Sequence, residues 1–387
     1  MNDSEPKPAI TPAHGQGQKS PGRGGPTGIV LLNLGGPKNL DEVGPFLLEL
    51  FQDREIIQLP FQKWLGPFIA KRRTPSVQKL YQDIGGGSPI LEWTNIQGKG
   101  MVERLDRLSP ETAPHKFYVA FRYVDPLSED ALRRMRADGV KRAIAFTQYQ
   151  HFSCATTGSS LNELWRAAER LGMVGDFQWS VIDRWPTHPG FVQAMAKTVR
   201  DGLKQFPEGE RDEVLLMFSA HSLPLSIIDR GDPYPQEVGA SVHEVLKAGG
   251  FKNQFVLCYQ SEVGPVRWLG ASTEQVIKDL GAKGRKKVLV VGIAFTSDHI
   301  ETLSEIDIEY AHLAKSVGIA EFKRAPAFNG EPLFQDALAE IVLDHLKNGS
   351  ACSSQYGFRC PGCTNPQCRN ILNPIAPYSR TPLGSGS

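Results

Sequence analysis

At 387 residues the chain is too long for one typical core and long enough for two. Its 43 Lys+Arg against 42 Asp+Glu leave no basic excess for nucleic acid, and a hydrophobic share of 40% suits a globular enzyme. No apolar run is long enough to span a bilayer, and six cysteines in this length do not make a secreted disulfide scaffold; their clustering points to metal.

Residues 1–27 are rich in Pro, Gly, Ser and Lys, lack periodicity and are expected to be disordered. They hold no apolar core for a secretory signal, and Asp3 and Glu5 speak against an ordinary mitochondrial presequence. Gly28–Leu34 reads as a strand closed by a Gly35-Gly36-Pro37 turn. Neither GxGxxG nor GKS/T follows, so a nucleotide is not expected. A helix is expected across Leu40–Phe51. Residues 51–73 then crowd Ile56, Ile57, Leu59, Phe61, Trp64, Leu65, Phe68 and Ile69 around two prolines, before a basic Lys71-Arg72-Arg73 end. Two readings stand side by side: a buried helix pair, or a hydrophobic lip lying in a membrane interface or at the mouth of an apolar pocket.

Ile84–Pro89 is a polar glycine loop, Leu91–Ser109 a helix, and Lys116–Tyr123 a strand ending in Arg122 and Tyr123. Lys141–Thr147 is the next strand, followed by Gln148, Tyr149, His151, Ser153 and Cys154, and then by the amphipathic Leu161–Leu171. The second half repeats this plan. Glu213–Phe218 is a strand ending in Ser219-Ala220-His221-Ser222, Phe255–Gln260 another, and Lys287–Ala294 a third. IVLLNLGG and AIAFTQYQH thus have counterparts in VLLMFSAH and VLVVGIAFTSDH. Strands alternating with helices predict an α/β protein of two similar doubly wound lobes, with a cleft between their strand ends. His151, His221 and His299 each follow such an end and are candidates to face it.

The stretch richest in chemistry is Ala294–Tyr310, AFTSDHIETLSEIDIEY. Asp298 with Glu301 resembles a capping box, and Glu301, Glu305 and Glu309 at spacings of four share one side of the expected helix. Such a side is ordinarily a solvated face. Here it begins where a buried parallel strand ends, which is where open α/β sheets place ligands. Carboxylates with imidazole suit a divalent cation or proton transfer, and clustered carboxylates would raise one another's pKa. The loop Asp183–His188 and Trp268 could wall a flat ligand. The tail carries Cys360, Cys363 and Cys368, a metal signal lacking a fourth ligand downstream; Cys352, Cys258 and Cys154 are the candidates, and zinc or an iron–sulfur cluster would both fit.

These residues closely resemble the ferrochelatase family, which inserts Fe²⁺ into protoporphyrin IX to make haem. The motifs are FSAHSLP (Phe218–Pro224), RGDPYP (Arg230–Pro235), AFTSDHIETL (Ala294–Leu303), FIAKRRTP (Phe68–Pro75), IGGGSPI (Ile84–Ile90) and DRWPTH (Asp183–His188). The resemblance runs from about Gly28 to Cys368 and implies the fold just read. Two Rossmann-like, chelatase-like lobes, residues 28–185 with the lip 51–73 and residues 186–349, flank a porphyrin cleft, and residues 350–387 form a Cys-rich extension.

The chemistry implied is specific. A flat porphyrin admits a metal only when held distorted, and its two N–H protons must leave. The resemblance points to His221 as proton acceptor, Glu301, Glu305 and His299 as groups that carry protons away or guide iron, His188 for metal or proton handling, and Glu340 where the family has a catalytic Asp. Substrate contacts would be Arg73, Tyr81, Ser88, Arg122, Tyr123 and Trp268, with Leu34 where animal members often have Met. CPGCTNPQC resembles the animal branch, implying a [2Fe–2S] cluster on Cys360, Cys363, Cys368 and Cys154. Implied partners are protoporphyrin IX, Fe²⁺ as substrate, a membrane surface met peripherally through the lip, and a second copy in a homodimer; no nucleic acid is expected. The implied location is the matrix side of the mitochondrial inner membrane, with a bacterial cytoplasm or inner-membrane surface as the alternative. A non-catalytic porphyrin carrier, an iron or redox sensor, and insertion into coproporphyrin III are the rivals.

Overall fold

Thr27–Asn33 forms the first strand, β1, and all seven of its residues are buried. The computed structural model describes residues 25–264, 266–358 and 360–365. Residues 1–24 of the expected disordered segment, and Cys368, lie outside them, while Thr27 already belongs to β1. After β1 come α1 (Val43–Gln52), α2 (Gln62–Asp83), α3 (Ile90–Leu108), β2 (His115–Phe121), α4 (Ser128–Ala137), β3 (Arg142–Thr147), α5 (Ser159–Arg170) and β4 (Gln178–Ile182). α6 (Pro189–Leu203) leads to β5 (Leu215–His221), α7 (Leu225–Ile228), α8 (Tyr234–Gly249), β6 (Phe255–Gln260), α9 (Thr273–Ala282) and β7 (Lys287–Gly292). A π-helix (Glu301–Tyr310), α10 (Ala311–Ser316), β8 (Glu321–Arg324) and α11 (Pro332–Asn348) complete the second half.

The strands make two four-stranded sheets, β2-β1-β3-β4 and β6-β5-β7-β8, all pairs parallel. The shared strand order matches the repeat seen in sequence: β1 and β3 correspond to β5 and β7. A parallel sheet must be covered on both faces. Val30 and Leu32 point into a cluster with Leu132 and Met135 of α4 and Leu161 and Leu164 of α5. Met217, Val288 and Val290 meet Val276 and Ile277 of α9 and Ala314 of α10. The other faces share one core. Leu31 and Phe146 of the first sheet and Phe218 and Val291 of the second join a single cluster through Phe191 and Met195 of α6 and Phe334 and Leu338 of α11. α11 packs on both α3 and α6, and Phe328 stacks on Phe334 with ring centroids 4.0 Å apart. The two lobes therefore have a common layer of helices between them.

Several expectations need correcting. β5 runs on to His221, so this histidine ends the strand rather than following it. The edge strands β4 and β8 went unread. β4 has one polar end, and β8 (EFKR) is half-buried throughout; outer strands need no continuous apolar run. The capping box at Asp298–Glu301 does not form. The helix there is a ten-residue π-helix with no side-chain cap at Ile300, and Asp298 instead accepts a bond from Thr302 Oγ1 at 3.2 Å.

The segment 51–73 is not a buried helix pair. Phe61 and Trp64 are 85% and 82% exposed, and Phe68 is also exposed, while Phe51 and Ala70 turn inward beside Val43 and Leu47 of α1. Among the described residues no helix is long and apolar enough to cross a membrane.

Candidate active site

The strand ends and one helix of each half converge on Glu301. β5 delivers His221, whose Nδ1 lies 2.5 Å from the Ser222 carbonyl oxygen. A carbonyl cannot donate, so Nδ1 carries a proton, and in the neutral ring the lone pair is on Nε2. Nε2 has no hydrogen-bond partner among the described residues. Tyr234 Oη donates to the His221 carbonyl at 2.9 Å and fixes the backbone.

The turn after β7 supplies the second imidazole. His299 Nδ1 donates to the Ser297 carbonyl at 2.8 Å, and its Nε2 lies 2.9 Å from Glu301 Oε2. Burial alone would push the imidazolium down, but the Glu301 carboxylate holds it above its ordinary value. Burial would likewise push Glu301 up, yet His299, and beyond it His221, hold it down at about 2. The expectation that clustered carboxylates raise one another fails at Glu301, because its near neighbours are imidazoles rather than carboxylates. It holds at Glu309, which burial and Glu305 push up. Glu305 is anchored instead: it accepts from Gln260 Nε2 (2.9 Å), Ser261 N (2.8 Å), Ser261 Oγ (2.5 Å) and Tyr310 Oη (2.8 Å).

The first half closes over this pair. α2 packs against the π-helix, and Tyr81, buried on α2, has its phenol pushed up by burial and then by Glu301. Tyr149, just past β3, also feels Glu301; its Oη accepts from Leu34 N at 2.6 Å. Gln97 of α3 reaches across to donate to the Thr296 and Asn329 carbonyls, both at 2.9 Å. Ser88 sits over Gly36, where a Cβ would meet its Oγ at 2.7 Å, so the glycine permits the approach.

Other expected contacts are less free. Arg122 pairs with Asp53, donates to the Ser159 carbonyl at 2.9 Å, and lies near Glu55 and Glu163. Tyr123 Oη donates to the same Asp53 at 2.7 Å, and burial pushes its phenol up to about 12. Arg73 lies 5.8 Å from the Phe51 ring centroid, and Trp268 Nε1 donates to the Val263 carbonyl at 2.9 Å. His188 is not with His221. It caps α6, accepting from Gly190 N at 3.2 Å, and its Nε2 lies 3.2 Å from Asp344 of α11. Glu340 sits one turn earlier on α11, against Gly190. His151 is buried, with its Nε2 2.8 Å from Ser241 Oγ, and burial drops it to about 3, so it is a neutral core residue and not a cleft group.

The cysteines sort themselves by position. Cys258 is buried in β6, its Sγ 3.3 Å from the Phe218 carbonyl. Cys352 packs on the apolar cluster behind the first sheet. Cys154 instead neighbours the tail: its thiol is pushed up by burial, by Asp232 and by Cys360. The tail is seated there by Gly362 N donating to the Arg230 carbonyl at 2.9 Å, and Arg230 Nη1 reaches Thr364 Oγ1 at 3.3 Å. Among the described residues no three metal-ligating side chains converge, and Cys368 lies outside them.

A family model described as Ferrochelatase matches residues 26–346. The chain belongs to the ferrochelatase family. It is 55% identical over 366 residues to "Ferrochelatase, mitochondrial" of Xenopus laevis, covering 94% of this chain and 87% of that one. The relative of the same description from Homo sapiens is 53% identical, covering 93% and 86%, and that from Drosophila melanogaster 51%, covering 89% and 90%. Around Glu301, sequence reasoning gave no role to Tyr149 and Ser261, which follow strand ends, or to Gln260, which ends β6 as His221 ends β5, and it missed Asp53 and Glu55, which carried no motif.

Glu301→Gln removes the largest support that holds His299 up against burial, leaving the Ser297 carbonyl and Asp298 as the remaining ones. The His299 pKa should fall from its raised position, read by NMR titration of the ring protons; a ring that titrates as in the unmodified chain would mean that Glu301 is not what holds it. In the unmodified chain the Glu301 contribution to stability is present above about 4.5 and lost as pH falls through about 2. The His299 contribution is complete below about 6.5 and lost as pH rises through its elevated value.

Proposed function

We propose that the chain is a protoporphyrin ferrochelatase that inserts Fe²⁺ into protoporphyrin IX with release of two protons, the terminal step of haem biosynthesis. The observation that carries the mechanism is His221: its Nδ1 proton is held by the Ser222 carbonyl, and its Nε2 has no hydrogen-bond partner among the described residues and lies near Glu301. The porphyrin loses two N–H protons as Fe²⁺ takes their place, and charge balances. His221 Nε2 accepts the pyrrole protons one at a time, passing the first to solvent before it takes the second. Glu301, ionised at neutral pH, stabilises the resulting imidazolium and is itself held by His299. Its role is therefore that of a fixed anion more than of a proton carrier, while Glu305 and Glu309 continue the acidic line along the π-helix.

We assign the porphyrin contacts to Tyr81, Ser88, Leu34, Trp268 and Arg73, with Arg122 and Tyr123 acting through Asp53. His188 and Glu340 lie against α6 and α11, outside this group, and a part in metal handling there is a separate proposal. The lip, with its exposed Phe61, Trp64 and Phe68 and the basic Lys71 and Arg72, lies on a membrane surface. The curated relatives are named mitochondrial, and we place this chain on the matrix side of the inner membrane, as a homodimer. The tail thiols and Cys154 suit a [2Fe–2S] cluster, which would supply one-electron chemistry or structural cross-linking when bound. Cys154 is favoured over Cys352 because Cys154 neighbours Cys360, whereas Cys352 packs on the apolar cluster behind the first sheet.

Three experiments test these readings. His221→Ala should abolish haem formation from Fe²⁺ and protoporphyrin IX, while fluorescence titration still shows porphyrin binding. Substantial turnover in that variant would remove His221 from the role. Replacing Trp64 and Phe68 with Ser should weaken binding to liposomes and leave the melting temperature within about 2 °C, since both are exposed; unchanged liposome binding would dismiss the lip. For the cluster, the purified chain should be red-brown. Cys154→Ser should bleach it and lower its stability, whereas Cys352→Ser should do neither. Colour that survives in Cys154→Ser would reassign the ligand.

A further inference from the structure

The π-helix is long for its kind. Such helices are rare and mostly single turns. This one runs for ten residues and starts without a side-chain cap, so something else must hold its first turns. The structure shows what does. Arg324, the last residue of β8, points its guanidinium at the helix and is largely shielded from solvent. Its Nε and Nη2 donate to the two oxygens of Asp307, each at 2.8 Å, and its Nη1 lies 2.9 Å from Asp298 Oδ1. Asp307 lies well inside the π-helix, and Asp298 immediately precedes His299. One planar fork therefore joins the helix to the turn before it.

Asp298 is the hub of that turn. Its Oδ1 also accepts from Thr302 Oγ1, and its Oδ2 accepts from Asn329 Nδ2 at 2.7 Å. Its own N–H donates to Asn329 Oδ1 at 2.8 Å, and Thr302 Oγ1 accepts from His299 N at 3.0 Å. The imidazole of His299 and the carboxylate of Glu301 thus hang from a segment whose position is set from outside the cleft. We infer that Arg324 is a positioning residue: by gripping Asp298 and Asp307 together it fixes the start of the π-helix, and so places the His299–Glu301 pair against His221. A lysine ammonium cannot reproduce a bidentate grip on one carboxylate and a third bond to another.

The inference rests on the metal-insertion reading for its kinetic assay alone, and hydrogen exchange tests it independently. Three variants of the full chain are compared: Arg324→Gln, Arg324→Lys and Asp307→Asn. Among the described residues the Asp307 side chain bonds to Arg324 and to none of His221, His299 and Glu301, and it is partly exposed, so Asp307→Asn is expected to fold. Both Arg324→Gln and Asp307→Asn should lower kcat by roughly 10- to 100-fold, the range for displaced catalytic groups. The porphyrin KM should stay within about twofold. The double variant should be no worse than Arg324→Gln alone, and Arg324→Lys should recover part of the loss. Amides of residues 298–310 should exchange faster in Arg324→Gln while those of β5 and β7 do not. Unchanged kcat in Asp307→Asn, additive losses in the double variant, or a fall in kcat matched by equal changes in KM and global exchange would overturn the assignment. A wild-type chain without turnover would sink the functional reading, and the exchange result would still decide the brace.

Discussion

The constraint on which this molecule depends is that a parallel sheet must be buried on both faces. Two such sheets in one chain need four covers. The structure saves a layer by placing α3, α6 and α11 between them, so that Phe146 of one sheet and Phe218 of the other reach the same apolar cluster. Parallel strands also send their carboxyl ends to one side, where ligands of open α/β sheets gather. Gln97 of the first half binding the Thr296 carbonyl of the second shows how closely the two sets of loops meet. The cleft follows from how the covers are shared, and it needs no motif of its own.

Within the cleft the deciding interaction is the buried His299–Glu301 pair. Desolvation works against both charges, and each partner shifts the other towards its charged form. A buried carboxylate held at about 2 cannot act as a reservoir of protons near neutrality. It can hold a steady negative potential where a cation forms, which is worth more in a shielded site than in water. In the proposed mechanism that division of labour leaves His221, whose Nδ1 faces a backbone carbonyl, as the group whose charge changes.

What the sequence disclosed and what it hid follow from these same forces. β1, β5, β6 and β7 were legible because central or apolar strands leave continuous hydrophobic runs. β8 was hidden because a half-exposed edge imposes no pattern on its residues. The histidines and glutamates of Ala294–Tyr310 were legible as a cluster, yet the spacing of Glu301, Glu305 and Glu309 reads as an ordinary helix. The wider π-turn has no local sign, since Arg324 and Asn329, which brace it, come later in the chain. Proximity was hidden too. Sequence shows Glu301 beside other carboxylates, whereas space shows it beside two imidazoles, and the sign of its shift follows the neighbours in space.

Arg122 carries the same lesson into the rest of the structure. Sequence placed it at a strand end, and the family resemblance implied a porphyrin contact. In the fold its guanidinium is already occupied by Asp53 of the lip and by the Ser159 carbonyl, with its buried Nε left without a partner. Glu55, two residues on from Asp53, accepts from Asn162 of α5 at 2.5 Å, from Arg166 at 3.0 Å and from Asn365 of the cysteine segment at 2.9 Å. One shielded network of charges therefore joins the lip, the first lobe and the tail. Removing one member of such a network leaves its partner charged and unpaired, which costs several kcal/mol, on the order of 3–5. Order at the lip and order at the tail are thus coupled through Glu55, which accepts from Asn365 of the tail and from Arg166 and Asn162 of the first lobe.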